Sequence, residues 1–148
     1  MKHVARYLLA LAALSFSAAA PAQQSQDFGE YVVHYNALNT NLIPPEVAQA
    51  YGIVRSSNRA LLNVTVLKKM MDTPGTPVSA TVTASGTNLT GQRRDIDIRE
   101  IKESGGAIYY VGQFPVHNLE TYSFDVKVAV EGEAQPLEVR FKQQFFTE

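Results

Sequence analysis

Metal or acid–base chemistry in this chain would fall first to its few histidines and to two close carboxylate pairs, Asp95/Asp97 and Glu131/Glu133. His34 sits within an alternating stretch and His117 in a loop after Pro115. Zinc takes three or four His, Cys or acidic ligands at compact spacing. The chain has no cysteine and offers no such cluster, so no metal site is expected. Nucleophilic catalysis is equally poorly provided for. There is no Gly-x-Ser-x-Gly elbow, and Ala84-Ser85-Gly86 is turn chemistry. The carboxylate pairs stand two residues apart on extended segments or loops, the pattern of a solvated face. A glycosidase pair would have to come from opposite sides of a cleft, which the sequence leaves open. No phosphate-cradling glycine loop is present, and no cofactor is implied. Asn63-Val64-Thr65 and Asn88-Leu89-Thr90 match the glycosylation sequon, a coincidence behind a bacterial type of export leader.

A second kind of chemistry is recognition. Most connections are short and polar, whereas residues 39–59 form a long one with a helix of its own, and long connections in compact domains are often functional. Leu42, Ile43, Val47 and Tyr51 suit a lid over one open end of the core. Glu46, Arg55 and Arg59 are harder to explain as packing. Two guanidiniums four residues apart, near a carboxylate at a helix start, suit an acidic group held by paired hydrogen bonds. They equally suit mutual neutralisation at the surface, which is worth little. Glu46, Tyr51, Arg55 and Arg59 are therefore the candidate partner-binding residues.

These residues need a scaffold, and the clearest element of it is Tyr122–Val130. Tyr122, Phe124, Val126, Val128 and Val130 fall on one face of an extended strand, and Ser123, Asp125, Lys127 and Ala129 on the other. Strands with the same alternation are predicted at Tyr31–Ala37, Ala60–Lys68, Val78–Ser85, around Ile96 and Ile98, at Ile108–Phe114, and from Leu137. Ala60–Lys68 is apolar on both sides at several positions, which places it centrally in its sheet. Alternation breaks at Glu100-Ile101, which predicts a bulge or a strand end. Pro45 and Gly52 bracket one short helix, with Val47, Ala50 and Tyr51 on a shared side. Gln23–Gln26 reads as a flexible polar lead-in.

About seven strands with one short helix indicate an all-β sandwich of immunoglobulin-like, fibronectin-type architecture. Leu119 followed by Tyr122 resembles the tyrosine corner of that architecture. Its core should hold Tyr35, Leu62, Val64, Phe124, Val126 and Val128. An eight-stranded barrel is the alternative, although up-and-down regularity is lacking.

The N-terminus carries an address. Lys2, His3 and Arg6 precede an apolar run from Tyr7 to Phe16, then Ala20-Pro21-Ala22, the layout of a secretory signal peptide cut before Gln23. The run is well short of the roughly 20 residues a spanning helix needs. Residues 1–22 are thus read as a cleaved leader, 23–148 as a single domain, and the destination as periplasmic. Lys2 and Arg6 leave with the leader, so 13 basic residues fall to 11 against 14 acidic, a net −3. That balance gives no electrostatic case for nucleic acid or an anionic membrane. Without cysteine the fold must also stand on its core alone, with no disulfide to close it.

Three stretches together carry a resemblance: Tyr31-Val32-Val33-His34-Tyr35-Asn36-Ala37; Pro44-Pro45-Glu46 with Ala50-Tyr51-Gly52-Ile53; and Arg55-Ser56 leading to Asn58-Arg59-Ala60-Leu61-Leu62-Asn63-Val64. They resemble a family of small exported Gram-negative proteins built around a single domain of unknown function. The resemblance implies a periplasmic, sandwich-like domain and brings no activity, cofactor or catalytic residue with it. The functional expectation is a non-catalytic binding or accessory module of the cell envelope, holding a protein, peptide or glycan through loops or an edge strand. The alternatives are an enzyme with a dispersed acidic site, and a chaperone or inhibitor that works by strand addition.

Overall fold

The computed structural model describes residues 24–148. The expected leader and its cleavage point lie outside the described residues. Two antiparallel sheets face each other. The first takes β1 (Gln24–Asp27), β2 (Tyr31–Asn39), β3 (Arg59–Lys68), β8 (Ile108–Pro115) and β7 (Arg99–Lys102) in that order, with the short β4 (Thr76–Pro77) also paired to β3. The second takes β10 (Leu137–Gln144), β9 (Thr121–Val130), β5 (Ala80–Asn88) and β6 (Arg93–Ile96). A 3-10 turn (Thr40–Leu42) and the helix α1 (Pro45–Tyr51) lie between β2 and β3. This is an all-β sandwich.

β9 is hydrogen-bonded on both sides, to β10 and to β5. Its inward residues Phe124, Val126 and Val128 are at most 2% exposed, while Asp125 and Lys127 face outward. Across the interface β3 presents Leu62, Val64 and Val66, all buried, and β3 is central as its two-sided apolar character predicts. Tyr35 packs at the margin of this core against Phe141, ring centroids 4.7 Å apart. Phe114 meets Phe124 and Phe145 edge-on at 5.4 and 5.7 Å, the offset geometry that aromatic quadrupoles favour. Tyr122 Oη donates to Pro115 O at a long 3.4 Å, seven residues upstream, and Leu119 takes φ +64° in the turn between them.

Two expectations need correction. Gln24–Gln26 is not a loose lead-in, since β1 pairs with β2 from Gln24↔Tyr35 to Asp27↔Val32. Asp27 fixes it further by accepting from Gly29 N at 2.8 Å and pairing with Lys69, and the Lys69 bond chiefly holds its carboxyl below the usual value. The fourth predicted strand is two. β6 pairs with β5 in one sheet and β7 with β8 in the other, so the chain changes sheets at Asp97-Ile98. Thr76–Pro77, which the sequence reading assigns to no element, forms β4.

The sheet change depends on Gly112. A Cβ there would lie 2.5 Å from Ile96 Cγ2, 2.8 Å from Asp97 O and 2.8 Å from Ile98 Cδ1. Only a residue without a side chain lets the crossing segment press against β8. Gly112→Ala should cost about 1–3 kcal/mol by overpacking. A chemical denaturation midpoint unchanged from wild type would show that the crossing has slack.

Candidate functional site

Leu61 and Val111 belong to central strands, yet they face away from the main core, because successive side chains alternate. Both are nevertheless buried, at 6% and 5% exposure. They are covered by residues 39–59, which contribute Ile43, Ala48 and Ile53 to a second, smaller core flanked by Leu38, Tyr51, Ile101 and Tyr109. The long connection therefore lies over the outer face of the first sheet. It does not plug an open end of the sandwich, and Leu42 stays 68% exposed. The buried residue of α1 is Ala48, one position from the side expected, while Val47 is 41% exposed at the rim.

The cover is stapled down by polar groups. Thr40, fully buried, donates from Oγ1 to Val54 O at 2.7 Å and accepts from Ser56 N at 2.8 Å. Asn39 Nδ2 donates to Ser57 O and to Phe146 O, each at 2.9 Å. Arg55 donates from Nε to Ile43 O and from Nη2 to Asn41 O, both at 2.8 Å. At the far end of α1, Arg99 donates to Tyr51 O beside the left-handed Gly52, φ +65°. Tyr51 Oη donates to the Glu103 carboxylate. That bond, more than burial, raises the phenol above its ordinary value.

Cover and sheet do not meet everywhere. Between them runs an open groove of about 300 Å³. Its floor is Asn36, Leu38, Leu61, Asn63, Tyr109 and Val111; its roof and rim are Ile43, Val47, Tyr51, Ile53, Ile101 and Glu103. Register sets the floor. Leu38 faces Leu61, Asn36 faces Asn63, and Asn63 in turn faces Val111. The Oδ1 of Asn63 is shut off from solvent and receives no hydrogen bond from the protein. The walls are largely aliphatic, with the Tyr51–Glu103 pair the polar feature of the rim.

Of the four candidate residues read from the sequence, only Tyr51 lines this groove. Glu46 is exposed in the first turn of α1, and Arg59 is exposed at the start of β3, opposite Pro115. The Arg55 guanidinium is committed to loop carbonyls, so the structure does not bring these residues together around one external group. Asn36, Asn63, Tyr109 and Glu103 were missed. Their signal was available in part, since Asn36 and Asn63 each fall on the outer side of their strand in the alternation. What the sequence lacked was the register that sets them side by side. His34 is half-buried on the outer side of β2 and His117 is exposed. Asp95 pairs with Arg93, and Glu133 accepts from Tyr31 Oη at 3.2 Å.

Losing both Arg55 bonds should matter more than losing Arg59, which is equally exposed and whose guanidinium makes no hydrogen bond among the described residues. Arg55→Ala is expected to destabilise by about 1.5–3 kcal/mol, as for hydrogen bonds from a charged donor. Arg59→Ala should stay within about 0.5 kcal/mol of wild type. Equal melting temperatures for the two variants would contradict the pinning role of Arg55.

A family model described as Domain of unknown function (DUF4426) matches residues 25–148. A solved crystal structure of a DUF4426 family protein from Pseudomonas aeruginosa PAO1 is 39% identical, with a TM-score of 0.72, over 84% of this chain and 94% of that one. No curated protein matches the chain.

Proposed function

The chain belongs to the DUF4426 family, whose function is unknown, and we propose that it is a non-catalytic binding module of the periplasm that holds a polypeptide partner by an apolar side chain. The groove beneath α1 carries this reading. Its volume and its mix of aliphatic walls with a few polar groups are those of a small-ligand or side-chain pocket. A glycan fits it poorly, because aliphatic walls would leave the sugar hydroxyls without partners, each a loss of about 1–3 kcal/mol. The non-catalytic part rests on the carboxylates. One carboxylate of each pair, Asp95 and Glu133, has a protein partner, and the groove itself contains a single carboxylate, Glu103. The strand order, with β1, β2, β3, β8 and β7 in one sheet and β10, β9, β5 and β6 in the other, is in keeping with an immunoglobulin-type sandwich.

Titration of the 15N,13C-labelled protein with acetyl-Ala-Leu-Ala-amide tests the groove. The methyl resonances of Leu38, Leu61 and Val111 should shift together, with little response to acetyl-Ala-Asp-Ala-amide or to maltotriose. Val47→Lys, at the exposed rim, should weaken the leucine peptide about tenfold without lowering the melting temperature. Shifts scattered over the surface, or a response to maltotriose alone, would remove the proposal.

Export belongs to the same reading. It is supported by the leader pattern of residues 1–22. Mass spectrometry of protein recovered from the periplasm of an expressing Gram-negative host should give Gln23 as the first residue. Recovery only as full-length chain in the membrane or cytoplasm would refute it.

A further inference from the structure

We infer that the groove reads a peptide group as well as an apolar side chain, with Asn63 and Asn36 as the residues that recognise it. This rests on the groove being the binding site, and it names what the partner must present there. A buried hydrogen-bonding atom without a partner costs about 1–3 kcal/mol, so native structures rarely keep one without a reason. Asn63 Oδ1 is such an atom, on a residue that lines the groove. Its neighbours along β3 are Leu61 and Thr65. Across the ladders they are Asn36 on β2 and Val111 on β8. No charged side chain is placed opposite it, and no group of the protein donates to it.

The chemistry of a carboxamide then selects the ligand. It offers one acceptor oxygen and an NH₂ donor in one plane, and its terminal torsion is soft, so either end can turn toward the groove. A peptide group offers the complementary N–H and C=O. An ester or ketone offers only the acceptor and would leave Oδ1 as it is. Two carboxamides in register double the available donors and acceptors, so one can hold the peptide N–H while the other holds the carbonyl. The aliphatic walls formed by Leu38, Leu61 and Val111 take the side chain, and they exclude water that would otherwise compete for the amide.

N-methyl-4-methylpentanamide and its ester isostere, methyl 4-methylpentanoate, carry the same branched apolar chain and no other amide, so they differ only at the group under question. The full mature chain should bind the amide about tenfold more tightly than the ester, as read by chemical-shift titration. The side-chain NH₂ resonances of Asn63 and Asn36 should move with the amide and stay with the ester. In Asn63→Leu the preference should vanish while ester affinity is retained. The NH₂ resonances of the unaltered protein give the same answer should that variant fold poorly. Equal affinity for amide and ester, with the groove methyls shifting for both, would overturn the peptide-group inference and leave the groove reading standing. Failure of both compounds to shift the groove methyls would overturn both.

Discussion

An apolar residue on a central strand must be covered whichever way it points, and that constraint shapes this protein. Leu61 and Val111 point away from the main core at the middle of a five-strand row. Burying two such side chains is worth about 1.5–3 kcal/mol each, too much to leave to water. Residues 39–59 supply the cover. A seven-residue helix contributes few apolar side chains, and α1 buries only Ala48 fully. Ile43 and Ile53, just outside its two ends, do the rest. Coverage by two isoleucines and an alanine is incomplete by geometry, and the groove is what remains between them.

So thin a cover cannot hold itself in place by hydrophobic contact. Its backbone departs from both sheet and long helix, so many of its N–H and C=O groups need other partners. Thr40, Asn39 and Arg55 provide them at the base, and Arg99 provides one at the far end, where the Tyr51–Glu103 bond adds a side-chain tie. Arg55 thus explains itself through the carbonyls of Asn41 and Ile43, where a reading of charge alone sees a partner-binding group. The polar residues of this segment are best understood through the carbonyls they satisfy.

What was legible in the sequence follows from the same physics. The main core was, because β9 and β3 bury one side in strict alternation and the period-two pattern reports that directly. The helix bounds were, because Pro45 and Gly52 are local stereochemical markers. The split of β6 from β7 was not. Its cause is Gly112, a residue in another strand whose missing side chain makes room for Asp97-Ile98. The pairing of β1 was likewise hidden, as Gln24–Gln26 has no apolar alternation and is held by main-chain bonds and, through Asp27, by Lys69 just past the end of β3. The side of α1 that is buried was misjudged by one residue because a helix of two turns has too few apolar positions to define a stripe.

The site was less legible than the fold for a related reason. Asn36 and Asn63 are unremarkable in isolation, each a polar residue on the outer side of a strand, where polar residues are ordinarily solvated. Register places them opposite each other, and the fold leaves one of their oxygens out of water. Neither step leaves a local mark on the chain. A polar atom becomes informative only when its surroundings deny it a partner, and that denial is a property of the assembled sandwich with its lid. The order of cause therefore runs from Leu61 and Val111, which require the cover, to the cover's incompleteness, and from there to a carboxamide held between aliphatic walls.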